Sequence, residues 1–84
     1  SARSARGEAR ARIIARLAEL DAELIAAARE GLSEQTATAL RREADAELSG
    51  FTGRMAPDAL AGARERAFER VLREALNLPV LSYE

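Results

Sequence analysis

The chain has 84 residues, a formal net charge of -1, a hydrophobic share of 48% and a charged share of 32%. That is one domain's length, with too much apolar content for a disordered tail. Cysteine, histidine and lysine are all absent. Their absence excludes a disulfide framework, thiolate or imidazole metal ligation, Cys or Ser–His nucleophile systems and Schiff-base chemistry within this chain.

Alanine fills 20 of the 84 positions and all 13 cations are arginine. Together with leucine and glutamate these are strong helix formers, so an all-α fold is expected. The same usage suggests a high-GC bacterial coding sequence. With no initiator Met, the chain reads as a fragment of a larger protein. No apolar stretch follows the basic start as in a secretory leader, and none approaches the ~20 residues of a membrane-spanning helix. Cytoplasmic residence, with no membrane partner, is the expectation.

Charge is unevenly spread. Residues 1–16 carry five arginines against Glu8, residues 17–50 carry three arginines against eight acids, and residues 51–84 balance at five each. Residues 1–10, with Arg3, Arg6 and Arg10, are expected to be a basic arm or linker ahead of a single helical domain over 11–84. Such an arm suits nucleic acid or an acidic partner.

The first helix is expected near 8–30, frayed before Ile13. Ile13, Leu17, Leu20, Leu24 and Ala27 recur at steps of 4, 3, 4 and 3, the alternation of a coiled-coil seam. The same register places Arg10 and Arg6 upstream in that seam, while Ile14, Ala18, Ile25 and Ala28 broaden it. Gly31 is placed to be the residue that closes the helix in a left-handed conformation.

A second helix is expected near 33–49, opened by Ser33 as N-cap, with Ala37, Leu40, Ala44 and Leu48 on one face and Phe51 continuing the line. Arg41 and Asp45 stand four apart and are spaced to pair. Pro57 then suits the first position of a third helix near 57–76, with Leu60, Ala63, Ala67, Phe68, Val71, Leu72, Ala75 and Leu76 as its apolar stripe. Asn77 is placed as its cap, Pro79 forbids continuation, and residues 78–84 form an extended apolar tail. The architecture expected is a three-helix bundle, or a helical hairpin plus a third helix, dimeric through the long first helix.

The string Ala27-Ala28-Arg29-Glu30-Gly31-Leu32-Ser33-Glu34-Gln35-Thr36 resembles the turn of a bacterial helix-turn-helix. The resemblance covers about 14 residues, and it implies that Ser33, Glu34, Gln35, Thr38 and Arg42 face a DNA major groove. Against that, Glu34, Glu43, Asp45 and Glu47 would repel phosphate. A small helix-closing residue followed by a serine cap also serves any helical hairpin.

Glu19/Glu23, Glu43/Glu47 and Glu65/Glu69 share helix faces at four-residue spacing. Carboxylate metal bundles combine such pairs with histidine, which this chain lacks. The arginines at 64, 66, 70 and 73 are interleaved with Glu65, Glu69 and Glu74 and read as surface charge. No catalytic residue, cofactor or metal site is expected. The leading expectation is a non-enzymatic interaction or dimerisation module from a larger protein acting in DNA replication or transcriptional control. Its partners would be a second copy, another protein or a domain of its parent. The interface residues would be Ile13, Leu17, Leu20 and Leu24, with Leu81 and Tyr83 in the tail. The alternative is a DNA-binding module using Arg3, Arg6, Arg10, Ser33, Gln35, Thr38 and Arg42.

Overall fold

The computed structural model describes residues 2–79. Within them lie three α-helices, α1 (Ala2–Glu30), α2 (Glu34–Glu47) and α3 (Pro57–Leu76), with a 3-10 turn at Thr52–Arg54 and no strand among the described residues. The chain is all-α, as its composition dictates. It divides into two compact units, one consisting of α1 with Gly31 and the other beginning at Leu32 and including α2 and α3.

The 29 residues of α1 span about 43 Å at about 1.5 Å per residue. The helix opens at Ala2, six residues before the expected start near residue 8. Residues 2–10, read from their charge as an arm, are therefore helical. Ala2, Ala5, Ala9 and the arginines all favour helix, and Gly7 is the only poor former among them. A second difference lies at the other end. Gly31 has no positive φ; its N–H donates to Ala27 O at 3.1 Å, an ordinary helical bond. The helix runs out regularly, without the left-handed closure expected there.

In the second unit, Ser33 sits at φ -69 and ψ 156, and its hydroxyl oxygen accepts from the N–H of Thr36 at 3.1 Å. One orphan donor of the first turn is thereby satisfied. The same hydroxyl donates to Thr36 Oγ1 at 2.9 Å. Helix α2 ends at Glu47, with Leu48 as C-cap, two residues short of the expected end. Phe51 consequently leaves the apolar line: it precedes the 3-10 turn and is 55% exposed.

Helix α3 occupies the expected span. Pro57 opens it, where a missing N–H costs nothing, and Asp58 lies in its first turn. Its end is a Schellman closure. Asn77 takes φ 53, its N–H donates to Glu74 O, and Leu78 N–H donates to Arg73 O at 2.9 Å. Arg73 Nη1 then donates to Pro79 O at 2.8 Å, fastening the chain where it leaves the helix.

Helices α2 and α3 pack against each other. Asp45 meets Arg64 at 3.7 Å, and Arg41, one turn earlier on α2, lies over Phe68, one turn later on α3. Stepping back along one helix while advancing along the other makes the pair antiparallel. Leu40 and Ala44 of α2 and Ala63, Ala67, Phe68, Val71 and Leu72 of α3 are buried, Leu72 completely. The small alanines let the helices approach closely around Phe68. Leu60 is half-buried, whereas Ala75 and Leu76 are exposed, so the stripe foreseen for α3 is narrower at both ends. Arg41 and Asp45 do not pair within α2 as their spacing suggested, because α3 offers each a partner.

Candidate interaction surface

On α1 the structure places Ile13, Leu17, Leu20 and Leu24 at exposures of 60%, 37%, 43% and 37%. All four candidate interface residues of this helix thus keep a substantial part of their surface in solvent, aligned on one stripe by the three-four spacing. By contrast, Ile25 is buried and Ile14 and Ala28 are half-buried. A run of exposed large aliphatics on a single helix face is what a protein-contact surface requires, whereas isolated exposed leucines are ordinary. The remaining two candidates, Leu81 and Tyr83, lie outside the described residues.

Because α1 is unbroken from Ala2, the stripe continues upstream. Counting back from Ile13 by the same steps gives Arg10, Arg6 and Arg3, each on an exposed turn. The basic segment and the aliphatic seam are therefore two halves of one helical stripe. The charge reading found the arginines and missed this continuity. Its signal was the register itself, which already set Arg6 and Arg10 in the seam.

The remaining helix-turn-helix candidates behave differently. The Ser33 hydroxyl is engaged with Thr36 on both its donor and acceptor sides, and Thr38 Oγ1 donates to Glu34 O at 2.9 Å. Both hydroxyls thus serve the backbone and turn of α2. Gln35 and Arg42 are exposed and share with Glu34, Thr38 and Ala39 an open surface depression on α2.

Arginine meets one member of two of these carboxylate pairs, and also the neighbouring Asp45. Glu19 receives Arg16 Nη1 at 3.0 Å, Glu47 receives Arg70, and Asp45 receives Arg64. These contacts are exposed and each contributes at most about 1 kcal/mol. No group of three or more potential metal ligands occurs among the described residues. None of the described helices is long and apolar enough to cross a membrane. No family model matches the chain, and no curated protein or solved structure does either.

Proposed function

We propose that the chain is a non-enzymatic protein-interaction module that self-associates through α1. The observation that carries this reading is the exposure of Ile13, Leu17, Leu20 and Leu24 along one coiled-coil register. Burying a leucine or isoleucine against a neighbour is worth roughly 1.5–3 kcal/mol for full removal from water. Only the 37–60% of each side chain that is still exposed remains to be gained, so four such residues, repeated on a second copy, supply a modest drive toward association. A setting in DNA replication or transcriptional control, within a larger cytoplasmic protein, fits the basic opening of the chain.

The test is a pair of charge insertions on α1. Leu20→Glu places a carboxylate in the seam and abolishes association, while Ala22→Glu, on an exposed position away from it, leaves association intact. Size-exclusion chromatography at matched concentration reads both. Equal elution of both variants with the parent contradicts the proposal.

The second reading, duplex DNA contact, rests on the exposed Gln35 and Arg42 and on the arginines at 3, 6 and 10. It predicts an affinity that falls steeply with salt.

A further inference from the structure

Helix α1 is electrically split along its length. Residues 2–16 hold Arg3, Arg6, Arg10, Arg12 and Arg16 against Glu8, a balance of 5 − 1 = +4. Residues 17–30 hold Glu19, Asp21, Glu23 and Glu30 against Arg29, a balance of 1 − 4 = -3. This arrangement opposes the helix's own dipole. The first turn contains no acid, so arginines crowd the positive end, while most of the acids lie toward the negative end. Within the lone helix the Arg16–Glu19 pair and Arg29 in the last turn offset only part of this mismatch.

We infer that the ligand of the basic half of α1 is the acidic half of α1 in a second copy, the two helices running antiparallel. The inference rests on the self-association proposed above and adds the partner of the arginines and the sense of the pairing. The register follows from the stripe. Laying α1 against a reversed copy sets Leu17 beside Leu20 of the second copy and Ile13 beside its Leu24, so all four aliphatics meet aliphatics. One layer further out, Arg10 faces the second copy's Ala27. That small side chain leaves room for the arginine stem, and Glu30 lies alongside for the guanidinium. Arg6 reaches the negative end of the second copy's helix. On the flank, Arg16 faces Glu23 of the second copy. In the single chain Arg16 makes an exposed contact to Glu19, which it can exchange at little cost.

A parallel pairing uses the same leucines but stacks Arg3, Arg6 and Arg10 each on its own counterpart. Three consecutive like-charge layers in a seam are strongly disfavoured. The aliphatic half alone does not choose between the two senses; the arginine half does.

The chain contains no cysteine, so Ala5→Cys, exposed and off the stripe, supplies a single site for a nitroxide label. Pulsed dipolar spectroscopy then reads the distance between the labels of two copies. Antiparallel pairing in this register separates them by 27 residues along the axis, about 40 Å at about 1.5 Å per residue. Parallel pairing brings them to within about 20 Å, given helix axes roughly 8–10 Å apart. A distance near 40 Å that disappears on adding Leu20→Glu supports the inference. A short distance overturns it while leaving self-association standing. Absence of any dipolar signal, with a monomeric mass, overturns both.

Discussion

The guanidinium carbon of Arg41 stands 4.6 Å from the ring centroid of Phe68, whose own exposure is 3%. A cation on α2 thus covers the face of the largest buried side chain of α3. Such a contact contributes about 0.5–1 kcal/mol near a surface. Arg41→Met keeps the apolar stem and removes the charge, so it should lower stability by about that amount. Phe68→Leu should cost more, since it loses both ring packing and the cation contact. Urea unfolding followed by circular dichroism measures both; an unchanged midpoint for Arg41→Met would dismiss the contact as energetically idle.

Leu72 has 0% exposure while Leu76, one turn later, has 44%. The two leucines share a helix and differ in burial, which makes them an internal control. Leu72→Ala should destabilise by about 2–5 kcal/mol, enough to unfold a small unit. Leu76→Ala should move the midpoint little. Similar losses at both positions would mean that the core of the hairpin is elsewhere.

The helix ends give predictions of opposite sign. Ser33→Ala removes the cap of α2 and should cost about 1 kcal/mol. Gly31→Ala should instead stabilise by about 0.4–1 kcal/mol, because the backbone there has no positive φ and an added Cβ would meet only Ala27 O and Ala28 O at 3.6 Å. Loss of stability in Gly31→Ala would restore the left-handed closure that the sequence suggested. At Asn77, where φ is 53, Asn77→Val should cost about 1–2 kcal/mol and Asn77→Gly should be nearly neutral. Thermal melts of the four variants decide them.

Duplex DNA provides a separate measurement. If the arginines at 3, 6 and 10 are occupied by the acidic half of a second copy, fluorescence anisotropy with labelled duplex at low ionic strength should show no salt-dependent binding. A binding constant that falls steeply with salt, and that vanishes when these three arginines become alanine, would reassign them to phosphate.

Much of the architecture is legible in local chemistry. Pro57 and Asn77 bracket α3 because each acts within its own turn, and Ser33 announces α2 for the same reason. The errors arise where local signals compete. A run of arginines reads as an arm by charge, yet the alanines between them carry the helix back to Ala2. Gly31 permits a left-handed closure without requiring one. The spacing that lets Arg41 and Asp45 pair is visible in the sequence, whereas Phe68 and Arg64 arrive only with the antiparallel packing of α3. The seam on α1 could be read in full from its spacing. That it stays exposed required coordinates.

Self-association through α1 can be read without any substitution by sedimentation equilibrium of the unmodified chain over a rising concentration series. The mass should climb from 9.1 kDa to twice that value. A mass that stays at the monomer value up to millimolar concentration would contradict self-association.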